Sequence, residues 1–422
     1  MSSDTDRYIR LIRSTLTQDY NRMFREPGGP FLHPFLTPGS QYYDDVLWDW
    51  DSWLSNVALR QILQMCNDPG MLETARRYEQ GCVLNFLKWT GVDGWMPISV
   101  ARTDPVADLK PADPYASNMH KPVLAQHAAF LVQQDGDSEW LRETMLNLEA
   151  FLANYRNHHR HQCGLYFWQT DERIGVDNDP CTFFRPPRSS GSIYLNSLMY
   201  RELLATAFLC RKLNLDEIAL HYEDDARALH SAIQEHCWDE RDGFFYSVDL
   251  NLLPREGVKG LHANQPRHWD CLIQRIGVWS GFLPMWADIA TPDQAERIVV
   301  EHFRNTSTFN APYGVRTLSK MEKMYQLRGS GNPSCWLGPV WGVSNYLTFR
   351  GLARYGFQKE ARELAEKTIR LFGRDLERFG ALHEYYQPEN GEPILSRGFQ
   401  NWNYLVLNMI EWMEGKEAVT EF

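Results

Sequence analysis

Residues 192–236, SIYLNSLMYRELLATAFLCRKLNLDEIALHYEDDARALHSAIQEH, hold two helical patterns of opposite character with almost nothing between them. In 216–236, Ile218, Tyr222, Ala226, Leu229, Ala232 and Ile233 recur on one side while Glu223, Asp224, Arg227 and Gln234 fall on the other, the pattern of a helix with one face in water. In 192–213, apolar residues surround most of the circumference, as in a helix covered on both sides. The link at 214–215 is too short for anything but antiparallel neighbours, so the pair reads as an inner helix followed by an outer one.

Working outward, the same periodicity predicts helices near 6–24, 50–66, 72–89, 119–135, 138–158, 269–288, 292–304, 336–355, 358–373 and 399–414. Runs 269–288 and 336–355 are also apolar nearly all round and read as inner helices. Short connections (67–71, 136–137, 214–215, 289–291, 356–357) alternate with long ones, so all the long loops must emerge on one face, where loops of that length usually carry function. Five of them repeat a Gly beside aromatic or apolar residues, GVDGWMP, CGLYFWQ, DGFFYSV, PYGVRTL and FGALHEYY, and read as short strands or hairpins. The fold expected is an all-α (α/α)6 toroid of six inner and six outer helices, one domain over 1–422, with its site on the long-loop rim. Loops 25–49 and 91–118 are where a lid would be sought.

Bulk composition narrows the partners. A formal charge of −11 argues against nucleic acid and anionic membrane surfaces, which call for a basic face. Aromatic residues reach 13%, with 15 Trp and 19 Tyr, and such rings stack on sugar faces as readily as they fill cores. The eight Cys show no CxxC spacing and several sit in apolar helical runs, as reduced buried thiols do. The start, MSSDTDRYIRLIR, is charged every few residues, and no uncharged run approaches the roughly 18 residues of a membrane span. A cytoplasmic protein is expected.

The unusual residues fall in the long loops. WDWD places Trp48, Trp50 and Asp51 together: the rings could stack on a sugar and Asp51 bind hydroxyls, or Asp51 could simply start a helix. Other loops contribute Trp95, Arg102, His120 and Lys121, then Trp168, Arg188, and His268, Trp269 and Asp270. Arg316 precedes CWLGPVW with Trp336 and Trp341, and FQNWN holds Gln400, Asn401 and Trp402. Two loops carry carboxylates suited to proton transfer. RIGVDNDPCTF offers Asp177 and Asp179, either of which could instead tighten an Asx turn. LHEYYQPENGEP sets Glu384 among His383, Tyr385 and Tyr386. Glycoside cleavage needs one carboxylic acid for the leaving oxygen and, for inversion, a carboxylate to activate water on the opposite ring face. His158, His159, His161 and Cys163 follow a predicted helix end and read as ordinary C-terminal residues, so no metal and no cofactor is expected. HExxH, phosphate loops and GxSxG are absent.

In order and spacing, LTPGSQYYDDVLWDWDSW, GVDNDP, CWLGPVWGV, HEYYQPENGEP and QNW resemble glycoside hydrolase family 63, and within it the short enzymes that hydrolyse mannosylglycerate and glucosylglycerate. The resemblance implies that Asp177 is the general acid, Glu384 the general base, and that configuration inverts. It also implies that Asp51, with Trp48 and Trp50, holds the sugar at the innermost subsite, and that Gln400 and Trp341 fall on sugar-pocket positions. The first motif looks closer to the mannosylglycerate enzymes, while HKP stands where the glucosylglycerate enzymes resemble QPP and Cys181 stands where relatives often carry an aromatic. The expected partner is a small glycoside with an anionic glycerate aglycone. Its carboxylate needs a cationic clamp, for which Arg102, Lys121, Arg188 and Arg316 come forward. Three other readings stay open: a trehalase-like enzyme for neutral disaccharides, an epimerase using His120 and His268, and a non-catalytic sugar binder. Homo-oligomerisation is also left open.

Overall fold

A computed structural model describes residues 3–40, 42–104, 110–253, 260, 267–329 and 332–422. Gln41 of the first motif and residues 105–109 of the loop 91–118 thus lie outside the described residues. Along the described chain run α1 (Ser3–Asp19), α2 (Asp49–Cys66), α3 (Pro69–Lys88), α4 (Leu124–Asp135), α5 (Met145–His158) and α6 (Ile193–Lys212). They are followed by α7 (Asp216–His236), α8 (Leu283–Trp286), α9 (Pro292–Arg297), α10 (Gly342–Arg354), α11 (Gln358–Phe379) and α12 (Val406–Met413).

The even-numbered helices form a closed inner ring. Helix α2 packs on α4, α4 on α6, α6 on α8 and α8 on α10. Helix α10 meets the 3₁₀ turn Asn401–Leu405 that leads into α12, and that turn packs back on α2. The odd-numbered helices lie outside, α7 along α6 and α11 between α1 and α10. This is the (α/α)6 toroid. Helix α7 shows why the sequence dictates the layers: Ala219, Tyr222, Ala226, Leu229, Ala232 and Ile233 are buried, whereas α6 buries residues on every side, including Asn196, Glu202 and Thr206. Local signals set the ends. Asp68 caps α3 by accepting from Gly70 N and Met71 N ahead of Pro69, and Thr291 with Gln294 forms a capping box on α9. Gly136 and Gly380 end α4 and α11 at φ +75° and +66°.

Two inner helices begin later than their apolar patterns suggest. Residues 269–278 are not helical: Leu272–Ile273 pairs with Val248–Asp249, which pairs with Ser190–Gly191. Only at Trp279–Phe282 does a 3₁₀ turn start, continuing into α8. In CWLGPVW, Gly338 and Pro339 precede the strand Val340–Trp341, and α10 opens at Gly342. The Gly-aromatic loops supply short strands: Trp238–Asp239 pairs with Phe244–Phe245, Asn310–Ala311 with Gly314–Val315, and Val340–Trp341 with Tyr385–Tyr386. Every long connection leads from an outer helix to the N-terminus of the next inner one, so the positive ends of the inner-helix dipoles face the loop rim. No helix among the described residues is long and apolar enough to cross a membrane.

Candidate active site

On that rim lies a cavity of about 700 Å³ whose walls come from five of the six long connections. Asp177 and Glu384 both line it, with Trp48, Trp50, Asp51, Lys121, Trp341 and Trp402. Asp179 does not; it turns into its own loop, accepting from Cys181 N and the Thr182 hydroxyl, and burial pushes its carboxyl up to about 6.

One crossbar holds both carboxylate loops. Asn178, at φ +54°, donates from Nδ2 to Ser334 O at 2.8 Å and accepts from Trp336 N at 2.9 Å. From the other side the Tyr385 hydroxyl donates to Pro333 O at 2.6 Å. Asn332, at the end of the same segment, donates to Asp177 Oδ2 at 3.0 Å. Tyr385 itself sits opposite Trp341 in the strand pair and stacks on its ring at 4.7 Å, while Trp336 stacks on the other face at 4.2 Å. Glu384 is thus carried on the edge of an aromatic pile. Its loop is tied down from behind, since His383 and the Tyr386 hydroxyl both bond Asp375 of α11.

Glu384 is buried, 4% exposed. Its Oε1 accepts from the Tyr43 hydroxyl at 2.9 Å, and its Oε2 has no hydrogen-bond partner. Burial raises its pKa above the ordinary value against the opposing influence of the nearby Ser396 and Tyr43 hydroxyls, and the charge of Asp177 adds to the rise.

The opposite wall is the start of α2. Trp48 ends the strand Val46–Trp48, where it pairs with Ser99, and both line the cavity. Asp49 lies in the first helical turn, accepts from Trp50 N and binds Lys121 Nζ through both oxygens at 3.0 and 2.9 Å. The Lys121 ammonium lies 5.5 Å from the Trp50 ring centre. Asp51 faces the cavity and takes a hydrogen bond from Asn401 Nδ2, whose own side-chain oxygen accepts from Ser55. Burial first and the Asp49 charge second push Asp51 up to about 8, with Lys121 pulling the other way.

Six residues expected near a sugar do not line this cavity. Trp95 and Trp336 are buried, the latter behind Trp341. His120 is enclosed by Phe86 and Phe151, and burial lowers it to about 4. Gln400 points instead toward α1, donating to Asp19 and to the Tyr404 hydroxyl, because its backbone is tied to Pro38. Arg188 is exposed and bonds Gln169. Arg316 is buried against the carbonyls of Thr306, Thr308 and Asn310 and pairs with Glu389. Arg102 pairs with Asp45, and His268 lies exposed, away from His120's core position. The paired-histidine arrangement is therefore not assembled. The sequence reading did not single out Tyr43, Asp49, Asn332 or Arg173, all of which either line the cavity or hold what does.

An (α/α)6 ring with carboxylates around a tryptophan-lined cavity brings together the groups that glycoside cleavage needs. The chain belongs to the mannosylglycerate hydrolase MGH1-like glycoside hydrolase family, whose domain it matches over residues 42–402. It is 25% identical over 201 residues to a mannosylglycerate hydrolase of Rubrobacter radiotolerans, covering 47% of this chain and 39% of that one. It is 22% identical over 340 residues to a cytosolic neutral trehalase of Emericella nidulans, covering 75% of this chain and 41% of that one. The chain thus spans half or less of the length of these curated relatives. The glycoside hydrolase family 63 mannosylglycerate hydrolase of Thermus thermophilus, solved with Tris and D-glycerate, superposes with a TM-score of 0.67 at 18% identity, covering 95% of this chain and 99% of that one.

Proposed function

We propose that the chain hydrolyses mannosylglycerate, and glucosylglycerate as a second substrate, to the free hexose and glycerate with inversion. Asp177 protonates the bridging oxygen as the aglycone leaves, and Glu384 takes a proton from the attacking water. The observation that carries this reading is the placement of Asp177 and Glu384 on one cavity between aromatic walls. Tyr43 donates to Oε1 of Glu384 and fixes the carboxylate at the cavity wall, where it is the base that takes the water's proton. Trp50, Trp341 and Trp402 offer apolar faces to the sugar ring, and Asp51, steadied by Asn401, offers hydrogen bonds to its hydroxyls.

A second reading, hydrolysis of a neutral disaccharide such as trehalose, is favoured by the mouth of the cavity, where Asp171 and Glu172 disfavour anions, and by the similarity to neutral trehalases. Incubating the protein with mannosylglycerate, glucosylglycerate and trehalose, with proton NMR of the first-formed sugar, separates the two. The expected result is turnover of a glycerate glycoside, release of the opposite anomer, and loss of turnover in Asp177→Asn and Glu384→Gln at unchanged melting temperature. Turnover of trehalose alone would move the assignment to the second reading, and full activity in either variant would remove that carboxylate from the mechanism.

A further inference from the structure

The general acid fixes where the aglycone lies. Asp177 must touch the bridging oxygen, so the leaving group is covered by Asp177's own loop and by the crossbar 332–334. A charged aglycone has to find its counter-ion there. The cations expected to serve are otherwise engaged: Lys121 is neutralised by Asp49 beneath the sugar wall, Arg316 by Glu389 away from the cavity, and Arg102 by Asp45, while Arg188 is outside.

On the acid's loop, four residues before Asp177, stands Arg173. It lines the cavity, is exposed, and among the described residues forms no ion pair or hydrogen bond. Its backbone, in contrast, is held on both sides. Asn118 Nδ2 donates to Thr170 O at 3.0 Å and Glu172 O at 2.7 Å. Ile174 is fully buried, and Gly175 (φ +88°) lies so close to Lys121 and Trp50 that a Cβ there would collide with Lys121 Cε. Arg173 itself adopts φ +57°, a conformation that side chains other than glycine rarely take. The result is a fixed pedestal carrying a free guanidinium at the aglycone end. Among the described lining residues that guanidinium is the one cation without an acidic partner, since Lys121 is held by Asp49.

We propose that Arg173 is the specificity residue for the aglycone, binding its carboxylate and selecting glycosides of small hydroxy acids over neutral ones. The inference rests on the reading in which Asp177 is the acid. The test compares mannosylglycerate with mannosylglycerol, which lacks the carboxylate, in wild type, Arg173→Gln and Arg173→Lys. Binding of D-glycerate and of glycerol to the same three proteins is followed separately by tryptophan fluorescence. Arg173→Gln is expected to raise KM for mannosylglycerate by about 10- to 100-fold, the scale of one charge-assisted pair. Its kcat, and both constants for mannosylglycerol, should stay within about twofold, with Arg173→Lys between. Glycerate binding should weaken in parallel and glycerol binding should not change. Equal effects on both substrates, or glycerate binding indifferent to residue 173, overturn the proposal. If wild type cleaves neither glycoside yet binds glycerate in an Arg173-dependent way, the proposed reaction fails and the assignment of Arg173 stands.

Discussion

The two ends of the cavity are made of the same kinds of residue in opposite conditions. At the sugar wall, Asp49, Asp51 and Lys121 are buried and each has its partner. At the mouth, Asp171, Glu172, Arg173 and Asp177 are exposed or partly so, and of their side chains only that of Asp177 takes a hydrogen bond from another side chain among the described residues, Asn332. A wall that must hold one neutral sugar in one pose gains from fixed, desolvated hydrogen bonds. A mouth that must accept and release an aglycone keeps its charges solvated and adaptable. The contrast predicts that breaking the buried Lys121–Asp49 pair costs stability as well as rate, whereas substitutions at the mouth other than at the acid Asp177 change substrate choice alone.

The largest effects should fall on the two carboxylates, and a reactive leaving group should tell them apart. Asp177→Asn and Glu384→Gln should each lower kcat on mannosylglycerate by on the order of 10²- to 10⁴-fold. With mannosyl fluoride, whose departure needs little protonation, Asp177→Asn should regain most of its rate and Glu384→Gln should not. Rescue of the Glu384 variant instead would exchange the two roles and place the aglycone at the other end.

Next in size is the buried pair under the sugar wall. Lys121→Met leaves Asp49 charged and dry, a loss of about 3–5 kcal/mol in such settings, while Lys121→Met with Asp49→Asn removes both charges and should recover most of it. Chemical denaturation measures both. If the single variant is as stable as wild type, the wall is not the rigid half and the comparison fails there.

How far the sequence carries the reader follows the same division. Helix layers were legible because burial on one side or all round writes itself into a 3.6-residue pattern, as in α6 and α7. The starts of α8 and α10 were not, because Leu272–Ile273 and Val340–Trp341 are as apolar as the helices they precede, and only pairing with Val248–Asp249 and Tyr385–Tyr386 makes them strands. In the site, motif residues with several aromatic neighbours were readable: Trp48, Trp50, Asp51, Trp341, Glu384 and Trp402 all line the cavity. Tyr43 lies inside the first motif but nothing in its spacing sets it apart from Tyr42 beside it, and Asn332 stands in a polar loop run without any pattern. Charged loop residues were the hardest, because Arg316 and Arg173 look alike until Glu389, 73 positions away, is seen to claim one of them.

The most pH-dependent effect is also the most diagnostic of how the sugar wall is built. Asp51 holds its proton up to about 8 in the folded protein, against 3.8 for an ordinary aspartate. The folded state therefore binds this proton more tightly than the unfolded chain, and the stability it contributes is present below about pH 4 and lost progressively as pH rises toward 8. Asp51→Asn removes that loss while keeping an oxygen for Asn401. The variant should match wild type near the acid end, exceed it in melting temperature by a margin that widens from pH 5 to pH 8, and turn over substrate more slowly throughout. A margin that stays constant with pH would mean that Asp51 is ionised and solvated like the carboxylates of the mouth, and the distinction between the two ends would then rest on the Lys121 pair alone.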